Sequence, residues 1–125
     1  MSKGKPVILY VDDDPDYREV VRTILEASGY EMLEASTAEE GLQAYKDRRP
    51  DLVIVDLMME EVDSGASFVK ELRLLGNDVP IYMLSSVGEN LNLSADPAAL
   101  GLAGVFQKPI ERATLIAILD AKLRA

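Results

Sequence analysis

Three short apolar runs, each closed by charge, constrain this chain more than any other feature. Val7-Ile8-Leu9-Tyr10-Val11 runs into Asp12, Asp13 and Asp14. Leu52-Val53-Ile54-Val55 ends at Asp56, and Val105-Phe106 leads to Lys108 and Pro109. Runs this short and this continuously apolar suit strands covered on both faces, which is the pattern of a parallel sheet rather than a half-exposed antiparallel one. In an open parallel sheet, ligands bind beyond the carboxyl ends of the strands. Charges placed at those ends are therefore expected to gather on one edge, three acids from the first run, one from the second, and a lysine from the third.

The intervening segments alternate with the strands. Asp14 is an expected helix N-cap with Pro15 at the first helical position. Tyr17, Val20, Val21, Ile24 and Leu25 follow at helical spacing, and Gly29 stops the helix. A strand is expected over 31–35. Thr37 and Glu40 form a Thr-x-x-Glu capping box for a helix over 38–48. A third helix is expected from Gly65, with Phe68, Val69, Leu72 and Leu75 as its apolar face, and Gly76-Asn77-Asp78 breaks it. The pattern then predicts a strand over 79–84, a loop over 85–94 and a short helix from Asp96-Pro97. A strand over 104–107 and a last helix over 111–123 complete it. Five strands alternating with five helices, joined by right-handed crossovers, predict a doubly wound three-layer α/β/α sandwich.

The length of 125 residues fits one domain over residues 1–125, large enough to bury a core. The net charge of −9, from 13 basic and 22 acidic residues, argues against a direct grip on nucleic acid or an anionic membrane. The chain has no cysteine and no histidine, which excludes thiolate and imidazole chemistry. It also excludes a phosphohistidine on this chain. The first residues lack the apolar stretch of a signal peptide, and no run is long enough to span a bilayer, so a cytoplasmic location is expected.

Each charged position has an ordinary explanation by itself. A helix-start aspartate is usually a cap, a strand-end aspartate starts a turn, and a lysine before proline is commonly solvated. The combination is more specific. Carboxylates gathered on one edge repel, and one must protonate unless a cation intervenes. Mg²⁺ takes oxygen ligands, typically one or two carboxylates with phosphate and water. Asp56 then reads as both a metal ligand and a nucleophile toward phosphorus. Lys108 and the hydroxyl of Ser85, which follows the expected fourth strand, read as binders of the remaining phosphoryl oxygens.

At these residues the chain resembles the receiver domains of two-component response regulators, and in particular the stand-alone chemotaxis-type regulators. The likeness extends over essentially the whole chain. The family's acidic pair matches Asp12 and Asp13 in Val-Asp-Asp-Asp-Pro, and its phospho-acceptor matches Asp56 in Val-Ile-Val-Asp-Leu-Met-Met. Its switch hydroxyl matches Ser85, and its lysine matches Lys108 in Phe-Gln-Lys-Pro. The resemblance implies a flavodoxin-like sheet of strand order 2-1-3-4-5. It implies Mg²⁺ held by Asp13, Asp56 and the backbone carbonyl of Met58, with Asp12 acting through water. It implies a cis Lys108-Pro109 bond. It also implies phosphoryl transfer onto Asp56 from a histidine kinase, a phosphotransfer protein or a small phosphodonor. Such a domain catalyses its own phosphorylation and dephosphorylation and signals by switching protein contacts.

Four departures from the family pattern stand out. Glu60 replaces the usual proline after the acceptor, Glu61 follows it, and the spacing from Asp56 to Gly65 is one residue longer. Val105 replaces the aromatic switch residue, while Phe106 is expected on the opposite face of its strand, in the core. The segment from Ser85 to Lys108 reads as a long loop with a short helix, with Leu91 and Leu93 packing back. On the last helix, Leu115, Ile118 and Leu119 face the sheet. Ile116 and Leu123 form a second stripe that is either scattered surface or a docking or homodimer surface. Two other classes compete: a pseudo-receiver serving as an interaction module, and a small aspartyl-nucleophile phosphatase, for which no segment is left to build a substrate cap. The chain leaves no segment for an output domain, so no DNA-binding output is expected, and the kinase and downstream target are unspecified.

Overall fold

A computed structural model describes residues 5–56, 70–76, 79–86, 103–108 and 110–123. The apolar runs form strands β1 (Val7–Val11), β2 (Glu31–Ala35), β3 (Leu52–Asp56), β4 (Ile81–Ser86) and β5 (Gly104–Lys108). Helices α1 (Pro15–Ala27) and α2 (Ala38–Arg48) lie between the first three strands. Residues 70–74 are helical (α3), and α4 (Arg112–Leu123) follows β5. All strand pairs are parallel, in the order β2-β1-β3-β4-β5. This is the doubly wound, flavodoxin-like sheet expected.

Side chains alternate across the pleat, and each face of the sheet has its own core. Ile8, Tyr10, Ile54, Leu84 and Phe106 point to one side, where Val21 and Leu25 of α1 and Leu115 and Leu119 of α4 cover them. Leu9, Val11, Val53, Val55 and Met83 point to the other, where Tyr45 of α2 and Leu72 of α3 close the layer. Phe106 is thus core and Val105 packs on the opposite face, as the alternation requires. Burial of both faces explains why β1 and β3 contain no charged residue before Asp12 and Asp56.

Local signals set several boundaries. The Asp14 carboxylate accepts from the N–H groups of Asp16 and Tyr17 at 3.0 and 3.3 Å, capping α1 with Pro15 in its first turn. Gly29, at φ +88°, turns the chain out of the helix in the left-handed region that glycine tolerates best. The Thr37 hydroxyl accepts from Glu40 N–H at 3.0 Å, but the return half of the capping box is displaced. Glu40 reaches past Thr37 to the N–H and hydroxyl of Ser36, at 2.9 and 2.8 Å.

Other expectations need correction. The fourth strand covers residues 81–86 rather than 79–84, so Ser85 lies inside the strand and not after it. Pairing decides this: Ser85 and Ser86 are held by Gln107 and Lys108 of β5, while Pro80 contributes only a carbonyl, which accepts from Val53 N–H at 3.0 Å. Lys108 correspondingly ends β5 instead of following it. Leu75 lies beyond the last helical residue of α3 and is exposed, leaving Leu72 as the buried position. In α4, Ile116 and Leu123 are partly buried against the α1-side core, together with Ile118, and are not a separate outward stripe. The Met58 carbonyl, the helix start at Gly65, Phe68 and Val69 lie outside the described residues. So do Glu60, Glu61, the loop from Val87 with Leu91 and Leu93, the helix at Asp96 and the Lys108–Pro109 bond.

Candidate functional site

The strand order reverses between β1 and β3, because the chain moves from β1 to β2 on one side and to β3 on the other. Val11 pairs with Val55, so Asp12 and Asp56 emerge next to each other at that switch point. Asp12 is fully buried, Asp56 is 4% exposed and Asp13 is partly buried. One carboxylate oxygen from each of the three lies within 4.8 Å of the others. Asp14, the third acid of the run, is committed to the α1 cap.

Asp12 is held from two directions. Its Oδ1 accepts from the N–H of Asp14 at 3.0 Å, and its Oδ2 accepts from the buried Tyr10 hydroxyl at 2.5 Å. Burial first, and then the hydrogen bond and negative charge of Asp12, push the Tyr10 phenol far above its ordinary pKa. Tyr10 is therefore a permanent neutral donor. Sequence reasoning counted Tyr10 only as part of an apolar run. The signal was there in its spacing: a residue two positions on along an extended run returns to the same face, and Asp12 follows Tyr10 by two.

Lys108 supplies the cation. Its Nζ lies 3.4 Å from Asp56 Oδ2 and 3.5 Å from Asp12 Oδ2. A tight ammonium–carboxylate hydrogen bond is about 2.7–2.9 Å, so this ammonium bridges two acids loosely. Burial alone would lower its pKa, but the charges of Asp12 and Asp56 outweigh that and raise it. Lys108 is thus charged at neutral pH. Three carboxylates against one ammonium still leave an excess of negative charge. The Tyr17 ring from α1 lies beneath this ammonium, with Nζ 4.6 Å from its centroid. The Tyr17 hydroxyl accepts from Ile110 N–H at 2.7 Å. Helical periodicity had placed Tyr17 on the apolar face of α1, but nothing local to α1 points to residues 108 and 110.

Ser85 lies one residue beyond Leu84, the β4 partner of Asp56. It is fully buried, and among the described residues its Oγ is the buried side-chain polar atom without a hydrogen-bond partner. Leaving such a group unmet costs about 1–3 kcal/mol. The donors at this edge are all oxygens and carry excess negative charge, which suits a small hard cation such as Mg²⁺ and not a soft one. The unmet hydroxyl suits an added oxygen acceptor. The edge therefore brings together Asp12, Asp13, Asp56 and Lys108, with Ser85 on the neighbouring strand. Among the described residues no helix is long and apolar enough to cross a membrane.

A family model described as the response regulator receiver domain matches residues 8–120. Among curated proteins, the phosphate regulon transcriptional regulatory protein PhoB of Pseudomonas aeruginosa is 36% identical over 94% of this chain and 51% of its own length. The transcriptional regulatory protein PrrA of Mycobacterium tuberculosis is 37% identical over 95% of this chain and 50% of its own. The chain spans about half the length of these two relatives. Among solved structures, the chemotaxis protein CheY4 of Vibrio cholerae superposes with a TM-score of 0.85 at 30% identity, covering 96% of this chain and 100% of that one. The receiver domain of NtrX from Brucella abortus gives 0.84 at 29% identity, over 94% and 98%.

Proposed function

The chain belongs to the response regulator receiver domain family, and from that premise we propose that Asp56 accepts a phosphoryl group in a Mg²⁺-dependent transfer. The observation that carries this reading is the meeting of Asp12, Asp13 and Asp56 within 4.8 Å, with the Lys108 ammonium 3.4 Å from Asp56. Asp13, Asp56 and the Met58 carbonyl would hold the ion, and Asp12 would act through a bound water. When bound, Mg²⁺ neutralises charge on the transferring phosphoryl group.

The residues of the chain divide the work. An Asp56 carboxylate oxygen forms the new O–P bond, while the P–N bond of a phosphohistidine or the P–O bond of an acyl phosphate breaks. The leaving group departs with that bond's electron pair. Lys108, already between Asp12 and Asp56, shifts toward the arriving phosphoryl oxygens. The Ser85 hydroxyl, with no partner among the described residues, gains an acceptor in the same group. Tyr10 keeps Asp12 oriented throughout.

The domain taking part is residues 1–125, and its phosphodonor is a histidine kinase, a phosphotransfer protein or a small phosphodonor. Its output is a change in protein contacts, with pairing through α4 as one form that this could take. Incubation with Mg²⁺ and acetyl phosphate should add one phosphate to the wild type and none to Asp56→Asn, read by intact mass. Equal labelling of the two proteins would refute Asp56 as acceptor. No labelling of the wild type would leave the chain as a non-phosphorylated interaction module.

A further inference from the structure

We propose that Tyr17 is a positioning residue that holds the Lys108 ammonium toward Asp56 and Asp12 and anchors the backbone at Ile110 ahead of α4; this rests on the phosphoryl-acceptor reading above. Two independent contacts of one side chain support it. The ring lies 4.6 Å from Nζ, within the range of a cation–π attraction. The hydroxyl accepts from the backbone N–H of Ile110 at 2.7 Å, just beyond the lysine and ahead of α4.

A physical need explains the arrangement. Lys108 has long contacts with both acids, at 3.4 and 3.5 Å, so neither carboxylate fixes it. A lysine side chain loses considerable rotamer freedom when held in one place. The tyrosine face limits where the ammonium can go without giving it another anion to pair with. Lys108 therefore stays charged and close, yet remains able to move toward a phosphoryl oxygen. The hydroxyl contact holds the backbone at Ile110, two residues beyond the lysine. Tyr17 is itself placed by α1, whose start is locked by the Asp14 carboxylate accepting from the Tyr17 N–H. The acidic run at the end of β1 thus orients both the carboxylates and, through α1, the support for the lysine.

The ring and the hydroxyl can be separated. Tyr17→Phe keeps the ring and loses the acceptor, while Tyr17→Leu loses both. In the wild type and in Tyr17→Phe, the Lys108 side-chain protons should show an upfield ring-current shift by NMR, and Tyr17→Leu should abolish it. At saturating Mg²⁺, Tyr17→Leu should slow acetyl phosphate labelling roughly three- to tenfold, the scale of a partly desolvated cation–π contact. Mg²⁺ affinity should change little, because the ligating acids are untouched. In a Lys108→Ala background the Tyr17→Leu slowing should vanish, because Tyr17 acts through the lysine. An unchanged Lys108 shift in Tyr17→Leu would overturn the proposal, and so would equal slowing with and without Lys108. A wild type that takes up no phosphate would refute the acceptor reading instead, and the lysine shift would still decide whether Tyr17 holds Lys108.

Discussion

Replacing Asp56 by asparagine should stabilise the metal-free protein and remove most of the stabilisation that Mg²⁺ confers. The nearest oxygens of Asp12, Asp13 and Asp56 are no more than 4.8 Å apart. At an effective dielectric constant of about 20, each such repulsion is about 3.5 kcal/mol. The Lys108 attraction to Asp56 at 3.4 Å is about 5 kcal/mol on the same scale. Toward Asp12, Asp13 and Lys108, Asp56→Asn removes two repulsions and one attraction, and it ends the desolvation cost of a carboxylate that is 4% exposed. Asp13 is partly exposed, so its share is screened and must be discounted. The balance favours asparagine by about 1–2 kcal/mol, or roughly 4–8 °C in Tm for a domain of this size. Mg²⁺ should reverse the order. At one hundred times its Kd, a ligand adds about 2.7 kcal/mol to the protein that binds it, and the variant lacks one of the ligands. Urea unfolding followed by circular dichroism, at low salt with EDTA or with excess Mg²⁺, measures both arms. A variant less stable than wild type in EDTA would refute the electrostatic argument. Equal gains from Mg²⁺ in both proteins would refute Asp56 as a ligand.

Tyr10→Phe should flatten the alkaline loss of stability. The folded-state pKa of Tyr10 is raised above its ordinary 10.0, so the unfolded chain ionises first and stability falls as pH rises past that value. Lys108, also raised, keeps its contribution below its ordinary 10.5 and loses it above. Urea midpoints from about pH 9 to about pH 11 should therefore fall less steeply in Tyr10→Phe; parallel slopes would contradict this. Asp14→Ala should cost about 1 kcal/mol in urea unfolding by removing the α1 cap, with Asp56 labelling retained; loss of Mg²⁺ binding would show Asp14 to be a ligand instead. Gly104→Ala should destabilise by about 1–3 kcal/mol, because a Cβ there would stand 3.0 Å from the Tyr82 ring; an unchanged urea midpoint would mean that the ring moves aside freely. The likeness to receiver domains implies that the side chains two beyond the acceptor and two beyond the switch hydroxyl border the path of the hydrolytic water; Met58 and Val87, apolar at those positions and unable to orient it, should give a longer-lived aspartyl phosphate than a Met58→Asn, Val87→Glu double variant. Decay rates after donor removal decide it, and a faster wild type would oppose it.

The sequence by itself determined the layers of this fold and the edge on which its acids meet. Continuous apolar runs at β1 and β3 required burial on both faces, and that demanded helices on both sides of a parallel sheet. The terminal positions of Asp12, Asp56 and Lys108 then followed from strand polarity, and Asp14-Pro15 and Thr37 announced their helices through local hydrogen bonding. Tertiary structure alone decided what each of these groups touches. Ser85 belongs to β4 because β5 pairs with it, a contact that no pattern within residues 79–86 contains. Leu75 passed as an apolar helical position but lies past the end of α3, and Ile116 and Leu123 pack, partly buried, against the core instead of forming a separate outer stripe. The Tyr17 contacts join residues more than ninety positions apart. Periodicity specifies which way a side chain faces, because that is a property of one element's geometry. Which atoms lie opposite depends on how elements pack together, and for Tyr17 that is the meeting of α1 with the end of β5.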